Sequence, residues 1–536
     1  MLSLSHFQTV YYDSSDCIEA VVEFNNYVAP EINNFKHRYS DINLDSELNC
    51  INVSLIDKCM RKLHMGKSSG PDGLMAEHLV YAHEFVKDHL VCLFKCMAVH
   101  SYVPKQFGEG IIIPLVKDKS ASANNLDNYR GITLIPVISK LFELLILDLC
   151  EDCLCTDDLQ FGFKKGTGCT NALFVLTETV EYFIENGSST FLAALDLKKA
   201  FDRVNHFKLF TALLKGGIKL WIVSLLVDWY SKLTVSVRWD NILSYNCKIK
   251  SGVRQGSALS PALFNFFVNP CFNEAKCAGT GCEIGNKFVG IIMYADDILL
   301  LSPTVFGLQK RLNKCSELFN SKQLEFNLSK SKCITIGRAS NLNIKPLLLQ
   351  GGTISWENNF KYLGVNFLAD KKLTVDTDII KRKMCSACNT ILCKTRQLDE
   401  ITRLCLIETS CIPLLTYAIA ALNLRDSQLN DLNVSWNNVF RIIFGFHKWE
   451  SVKSFMCGVG RLDIYHLRLR TCLSFMKNCL ASNNDLTRYL MQRFYINNFD
   501  HLCARSNLPH INLTQVSHFD IKNTVHNIFF NKVLSE

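Results

Sequence analysis

Two adjacent acids, Asp296 and Asp297, lie between apolar runs at residues 288–294 and 298–301. Apolar runs on both sides of a short polar break are typical of a β-hairpin, which would carry both carboxylates at its tip. Like charges at a buried edge repel each other and lose hydration, and a divalent cation removes that cost. The pattern therefore points to a metal site, with an exposed acidic turn as the alternative because Asp is common in turns.

A third acid, Asp196, ends an apolar strand predicted over residues 191–197. If this strand neighbours the predicted hairpin in one sheet, three carboxylates converge at one edge. Mg²⁺ prefers carboxylate oxygens together with waters and substrate phosphates. Two such ions about 3.5–4 Å apart can activate a hydroxyl and stabilise a pyrophosphate leaving group. The acids thus indicate phosphoryl-transfer chemistry.

The acids belong to a series of short segments that resembles reverse transcriptases of the non-long-terminal-repeat (LINE-type) retrotransposons. Residues 294–297 (YADD) resemble the metal-binding box of these enzymes, and residues 195–204 (LDLKKAFDRV) resemble their first catalytic-acid box. The other similar segments, in chain order, are 66–73 (GKSSGPDG), 128–134 (NYRGITL), 160–163 (QFGF), 252–261 (GVRQGSALSP), 327–332 (NLSKSK) and 360–365 (FKYLGV). The segments follow the order of the family, which makes coincidence a poor explanation.

The resemblance implies the roles at the reacting phosphate. Asp196, Asp296 and Asp297 would bind two Mg²⁺ ions, with Mn²⁺ as an alternative, and the carbonyl of Leu197 would also face a metal. Lys332 matches the lysine proposed to protonate pyrophosphate; neutralising phosphate charge or a solvated loop position are the alternatives.

The resemblance also assigns the nucleotide-binding residues. Arg130 and Lys117 would hold the triphosphate, and Arg suits this role because its planar fork makes bidentate contacts. Phe201 would crowd a ribose 2′-hydroxyl and so favour deoxynucleotides, with a core Phe as the alternative. Gln255 would contact nucleotide and template, and Gly256 would allow close backbone approach. For Lys117 a solvated loop lysine is the alternative.

Two further polar residues near the first acid are expected to act structurally. Asp202 does not share a helical face with Asp196, so a local role in pairing with Arg203 or Arg254 is expected. His206 is expected to be a partly buried polar residue rather than a ligand.

The elements that must position these residues indicate an α+β fold. The resemblance implies a right-hand polymerase with fingers, an antiparallel-sheet palm, a helical thumb and a helical C-terminal region. The expected boundaries are 1–65 for an N-terminal helical extension, 66–190 for the fingers and first part of the palm, 191–368 for the palm, 369–480 for the thumb and 481–536 for a C-terminal tail, with the reverse transcriptase domain spanning about 97–368.

Composition sets the remaining bounds. The chain has 536 residues, 48% of them hydrophobic, and a formal net charge of +8, which permits a nucleic-acid partner without demonstrating one. No signal peptide or membrane-spanning stretch is visible, and 24 scattered cysteines suit reduced thiols, so an intracellular protein of the nucleus or cytoplasm is expected. Two cysteine groups, at residues 150–155 and 385–388, lack a matching partner pair at zinc-finger spacing.

The implied activity is RNA-directed DNA polymerisation, with an RNA template, a DNA primer and dNTPs as partners. An endonuclease would act in trans or from a missing upstream region, because the 65 residues before the first similar segment are too few for such a domain. Phosphate contacts are expected from dispersed cations, namely Lys62, Lys67, Lys164, Lys165, Lys198, Lys199, Lys381, Arg382, Lys383, Lys394 and Arg396. A catalytically decayed RNA-binding remnant is the alternative from another class, and a maturase or telomerase-like enzyme is the enzymatic rival.

Overall fold

A computed structural model describes residues 18–37, 47–118, 122, 124–276, 279–506, 508 and 512–535. Residues 1–17 and 38–46 of the expected N-terminal extension therefore lie outside the described residues. The chain forms two compact units, each assembled from separate stretches of sequence. The first comprises Met1–Asp157, Leu197–Cys277 and Lys314–Asn327; the second comprises Asp158–Asp196, Ala278–Asn313 and Leu328–Glu536.

The described residues form helices at both ends of the chain and a mixture of helices and strands between residues 109 and 375. Its helices are α1 (Ile18–Tyr27), α2 (Ala29–His37), α3 (Val53–Met60), α4 (Ala76–Val80), α5 (Phe85–His100), α6 (Lys105–Gly108), α7 (Val137–Leu149), α8 (Cys169–Glu185), α9 (His206–Lys215), α10 (Leu220–Ser231), α11 (Ser260–Lys276), α12 (Val305–Ser321), α13 (Thr377–Lys394), α14 (Glu400–Thr416), α15 (Asp426–Phe444), α16 (Lys453–Gly458), α17 (Ile464–Leu480), α18 (Asp485–Ser506) and α19 (His518–Ser535). Short 3₁₀ turns lie at Leu126–Asn128, Ala200–Arg203 and Arg338–Asn341.

The described strands are two to eight residues long. They are β1 (Glu109–Val116), β2 (Tyr129–Leu134), β3 (Thr190–Leu195), β4 (Thr234–Trp239), β5 (Ile242–Leu243), β6 (Cys247–Lys248), β7 (Glu283–Ile284), β8 (Lys287–Phe288), β9 (Ile291–Tyr294), β10 (Asp297–Ser302), β11 (Lys332–Ile336), β12 (Leu347–Leu349), β13 (Gly352–Ile354), β14 (Asn359–Tyr362), β15 (Val365–Ala369) and β16 (Leu373–Val375).

The first unit is built on a sheet of order β2-β1-β4-β5, with β6 also paired to β4. β1 pairs antiparallel with β2 and parallel with β4. Its core includes Phe94, Phe142 and Trp229, all almost fully buried. The Trp229 and Phe142 rings lie 5.5 Å apart, and the Trp229 indole N–H donates to the carbonyl of Phe107 at 3.0 Å. Ring packing of this kind holds the helices against the sheet.

The second unit is built on an antiparallel sheet of order β11-β3-β10-β9. The central strand β10 is a continuous apolar run after its first residue, and Ile298, Leu299, Leu300 and Leu301 are all buried. A strand covered on both faces needs such a run instead of polar–apolar alternation. A three-stranded sheet, β14-β15-β16, follows in the chain, and helices make up most of the remainder.

Most elements expected from the apolar pattern are present. The α+β class and the antiparallel sheet expected for the palm are confirmed. The apolar pattern of residues 198–214 predicts a single helix, and this prediction is wrong in its first part. Ala200–Arg203 form a 3₁₀ turn, and α9 begins only after Asn205, whose side chain accepts from the Lys208 N–H. An Asn at this position caps a helix by satisfying a free backbone N–H. Among the described helices, none combines the length and the apolar character needed to cross a bilayer.

Candidate active site

The strands bring the ends that carry the acids to one edge of the second unit's sheet. β3 and β10 pair antiparallel, with Leu195 opposite Ile298. Asp196 follows Leu195 directly, and Asp297 precedes Ile298 as the first residue of β10. Because an antiparallel register runs in opposite directions on the two strands, Asp196 and Asp297 come next to each other. The expected adjacency of the two strand ends is therefore present.

Asp296 lies in the tight turn between β9 and β10. Tyr294 and Asp297 pair across the hairpin, so Ala295 and Asp296 alone connect the strands, and Ala295 has a positive φ of 56°. Two-residue hairpin turns require such left-handed backbone, which normally favours Gly or Asn. The acids were expected together at the tip; the structure divides them between the turn and the first strand position.

A nearby segment clamps this turn. The side chain of Gln160 is buried, and its Oε1 accepts from the N–H of Ala295 at 2.9 Å and from the N–H of Gly162 at 3.0 Å. A Cβ on Gly162 would lie 2.5 Å from the Ala295 nitrogen. The QFGF segment thus positions the acidic turn. Sequence reasoning gave it no such role, because only a close backbone approach marks the glycine as essential.

A lysine lies beside the first acid. The Lys330 ammonium is 3.8 Å from Asp196 Oδ2, and Ser331 Oγ accepts from the Asp196 N–H at 3.3 Å. Lys332, the lysine singled out from the sequence, begins β11 opposite Ala194. The structure therefore places Lys330, two residues earlier, within reach of the acid.

Apolar and phenolic groups surround the base of the turn. The pKa of Tyr294 is raised to about 12 by burial and by the neighbouring Cys169 thiol. Tyr362, from the family-like segment at residues 360–365, is buried, and its pKa is raised well above the usual value by burial and then by the negative charge of Asp297. Both phenols therefore stay neutral. Tyr417 donates to the carbonyl of Leu363 at 2.8 Å and so holds the turn of that segment.

The donor set suits a hard cation, although its side chains do not form a closed cage. Within the described ranges, no group of three or more His, Cys, Asp or Glu side chains is gathered as a metal-binding cluster. This also holds for the cysteine groups at residues 150–155 and 385–388, and the described cysteines are free thiols. Mg²⁺ is commonly bound by one or two carboxylates plus substrate phosphates, so adjacent Asp196 and Asp297 fit that mode.

In the first unit, the loop that contains Gln255 and Gly256, here called the Gln-Gly loop, packs against β2. Thr133 donates its N–H to the carbonyl of Gln255 at 2.6 Å, and a Cβ on Gly256 would lie 2.5 Å from the Thr133 carbonyl oxygen. Gly256 also has a φ of +115°, a backbone conformation that residues with a side chain rarely adopt. The close backbone approach at Gly256 in the structure is thus made by β2 of the same chain.

The Gln255 amide donates to Asp202 Oδ1 at 3.2 Å. Asp202 is buried and therefore has the local structural role expected for it, although this contact is with Gln255. Of the two arginines considered as partners of Asp202, Arg203 pairs with Glu325 at 3.0 Å and Arg254 pairs with Glu143 at 3.4 Å.

Two further contacts fix the same loop. His206 is buried, its ring Nε2 lies 2.7 Å from the carbonyl oxygen of Gly252, and burial lowers its pKa to about 4. It is more deeply buried than the partial burial expected from the sequence. Phe201 stacks on Phe264 with ring centroids 4.6 Å apart, and its carbonyl accepts from the Val253 N–H at 2.7 Å.

Glu143 forms a buried anchor under this loop. Its carboxylate accepts from Ser257 Oγ at 2.8 Å and from the Ala258 N–H at 2.7 Å, in addition to its ion pair with Arg254. Burial raises the pKa of Glu143, whereas Arg254 and these donors oppose the rise. A buried charge needs such a set of partners. Nothing in the sequence marked Glu143, because a single acid in an apolar helix gives no pattern.

The residues assigned to the triphosphate lie on the edge of the first unit's sheet. Arg130 is exposed on β2, opposite Leu115. Lys117 follows β1, and its ammonium donates to the carbonyl of Asp127 at 2.9 Å. Several lysines expected to contact phosphate are in ion pairs instead: Lys62 with Asp148, Lys198 with Glu325, Lys199 with Asp127, and Lys381 with Asp378 and Asp431. Each of these pairs has at least one exposed partner, and pairs of this kind contribute little to stability.

Comparison with known proteins gives the family. Residues 116–367 match the family described as reverse transcriptase (RNA-dependent DNA polymerase). The chain is 23% identical to the retrovirus-related Pol polyprotein from type-2 retrotransposable element R2DM of Drosophila melanogaster, over 61% of this chain and 31% of the relative. It is 26% identical to the RNA-directed DNA polymerase from mobile element jockey of the same organism, over 63% of this chain and 37% of the relative.

Another relative is the probable RNA-directed DNA polymerase from transposon X-element of Drosophila melanogaster, 25% identical over 67% of this chain and 40% of the relative. The chain spans less than half the length of these curated relatives. Among solved structures, telomerase from Candida tropicalis matches at 14% identity and a TM-score of 0.36, covering 51% of this chain and 56% of that one. Residues 116–367 thus match the reverse transcriptase family, and the chain is similar to the retrotransposon proteins of R2DM, jockey and X-element.

Proposed function

We propose that the chain is an RNA-directed DNA polymerase that extends a primer 3′-hydroxyl with dNTPs on an RNA template. The pairing of β3 with β10, which makes Asp196 and Asp297 neighbours, is the observation that carries this proposal. The match of residues 116–367 to the reverse transcriptase family supports the substrate class, because reverse transcriptases act on nucleic acids. A DNA primer, and an endonuclease in trans or in a missing region, are part of the same proposal.

Asp196, Asp296 and Asp297 would hold the metal, and the Leu197 carbonyl would add an oxygen. Two Mg²⁺ ions, when bound, would activate the 3′-hydroxyl and offset the charge that develops on pyrophosphate. The Asp196 and Asp297 carboxylates supply the hard oxygens, and the Gln160 clamp keeps the acidic turn in place. Preorganised charge of this kind lowers the barrier because little rearrangement is needed during the reaction.

The proposal assigns the dNTP to residues of the first unit. Arg130 and Lys117 bind the triphosphate, and Phe201 restricts the sugar. Gln255 and Gly256 present the nucleotide and template contacts. The fixed loop supports these assignments, since Gln255 is held by Asp202 and Thr133. A lysine donates a proton to the leaving pyrophosphate; the sequence resemblance favours Lys332, and the 3.8 Å contact with Asp196 favours Lys330.

The test is primer extension on an RNA template with the Asp297→Ala variant. We expect extension to be abolished and primer–template affinity to stay close to that of the wild type, because the acid binds metal and not the strand. Glu317→Ala, which removes an exposed acid from a helix surface, is the matched control and should extend normally. Full activity of Asp297→Ala would refute the proposal, whereas a wild-type chain that binds RNA without Mg²⁺ and never extends would support a decayed RNA-binding remnant.

A further inference from the structure

A tryptophan beyond the family-matched segment is largely exposed. Trp449 follows α15 and has 83% of its surface exposed. Its ring is stacked with His447 at a centroid distance of 5.1 Å and an interplanar angle of 3°. Single exposed apolar residues are common on protein surfaces, so the exposure of Trp449 is informative only together with its surroundings. Lys448, which lies between His447 and Trp449 in the sequence, is also exposed.

The loop that presents Trp449 is held in one shape. The Arg441 guanidinium donates to the Glu450 carbonyl through two nitrogens at 2.9 and 3.1 Å and to Asn438 Oδ1 at 2.8 Å. The Glu450 N–H donates back to the His447 carbonyl at 3.1 Å. Because the Trp449 ring is presented by a fixed backbone, a planar ligand would lose little loop entropy when it stacks there.

A cavity of about 250 Å³ adjoins this loop. Three cations line it, Arg441, Lys453 and Lys532, against a single acid, Asp463. Asp463 is engaged with His466, because its Oδ1 lies 2.6 Å from His466 Nδ1 and accepts from the His466 N–H at 2.9 Å. The surplus of positive charge makes the cavity suitable for a phosphate group.

Asn437 adds an adaptable group to the cavity wall. Its Oδ1 is buried and has no hydrogen-bond partner within the described part of the chain. An amide can turn and present its NH₂ group to an anion, which would satisfy both partners.

We propose that this surface binds a single-stranded nucleic acid, with a base stacked on Trp449 and the adjoining phosphate in the cavity lined by Arg441 and Lys453. Aromatic stacking next to a cationic groove is how proteins grip single strands without reading their sequence. The site lies in residues 437–532, outside the segment that matches the polymerase family, and so gives the proposed enzyme a second strand contact.

The test uses the full chain and a labelled oligouridylate, with affinity measured by fluorescence anisotropy. We expect Trp449→Ala to weaken binding about tenfold and Trp449→Phe to keep most of it, because a base stacks on any aromatic ring. Phe306→Ala, which removes another exposed ring, is the matched control and should bind like the wild type. Lys453→Gln should lower the dependence of log affinity on log salt by about one unit.

Crosslinking locates the contact independently of other binding surfaces. An oligonucleotide that carries 4-thiouridine should crosslink at His447–Trp449, as mapped by mass spectrometry. Unchanged affinity in Trp449→Ala, an equal loss in Phe306→Ala, or crosslinks confined to other segments would overturn the inference. Competition by uridine monophosphate as strong as by the oligonucleotide would also overturn it, because the site would then be a nucleotide pocket.

Primer extension by the same proteins separates this inference from the proposed function. If the wild-type chain extends primers and Trp449→Ala binds oligouridylate normally, only the strand contact at Trp449 is refuted. If the wild-type chain never extends primers and Trp449→Ala still loses oligouridylate binding, only the proposed polymerase activity is refuted.

Discussion

Two lysines, Lys330 and Lys332, are candidates for the proton donor to pyrophosphate, and single substitutions can tell which of them acts. Lys330 is the lysine within 3.8 Å of Asp196, and Lys332 lies two positions further along the chain. If Lys330 donates the proton to pyrophosphate, Lys330→Ala should lower kcat by on the order of a hundredfold, because general acids contribute at least that much. Lys332→Ala should leave kcat near that of the wild type. Single-turnover extension on an RNA template measures both.

The two variants are matched in charge and neighbouring in sequence, so a general loss of phosphate attraction would affect them alike. A larger loss in Lys332→Ala would return the role to the residue that the sequence resemblance favours. The sequence alone could not separate the two because both lie in one short segment, NLSKSK. The structure distinguishes them, because Lys330 lies 3.8 Å from Asp196 whereas Lys332 begins β11 opposite Ala194.

Among the elements, the contact between the QFGF segment and the β9–β10 turn makes a sharp prediction. Gly162→Ala would bring a Cβ to 2.5 Å from the Ala295 nitrogen, so the acidic turn must move. A displacement near 1 Å at a catalytic group costs about a hundredfold in rate. We expect kcat for primer extension to fall by that order while the fold survives.

Gly168→Ala is the control for this prediction. No atom lies within 4 Å of a Cβ built on Gly168, and its backbone is extended, so the methyl group should be tolerated. Normal extension by Gly162→Ala would show that the turn does not depend on the clamp. Circular dichroism of both variants confirms that any loss of rate is local.

The sequence predicts elements better than it predicts their partners. The apolar runs around Asp296 and Asp297 correctly indicate a hairpin, and the Asn205 cap explains why α9 begins after the point that hydrophobicity alone suggests. The Gln160 hydrogen bond to Ala295 and the buried Glu143–Arg254 pair could not be foreseen. Both depend on residues distant in sequence, and neither leaves a periodic signal.

At the scale of the whole molecule, each unit is assembled from three separate stretches of sequence, so a continuous fragment lacks part of its unit. Residues 1–157 contain β1 and β2 but lack β4, which pairs with β1. They also lack Trp229, which packs on Phe142, and Arg254, which neutralises Glu143. A buried carboxylate without its partner destabilises a fold by about 3–5 kcal/mol, and a two-stranded ribbon is marginal in water.

We therefore expect a fragment of residues 1–157 to show no cooperative unfolding transition in urea, whereas the full chain does. Mixing this fragment with residues 158–536 should restore protease resistance to both, because the missing strand and the Arg254 guanidinium return together. Near-UV circular dichroism and limited proteolysis measure these outcomes. A cooperative transition in the isolated fragment would mean that β4 and Arg254 are dispensable for the first unit, and the ordering of the Gln255 loop would then need a cause other than its buried anchor.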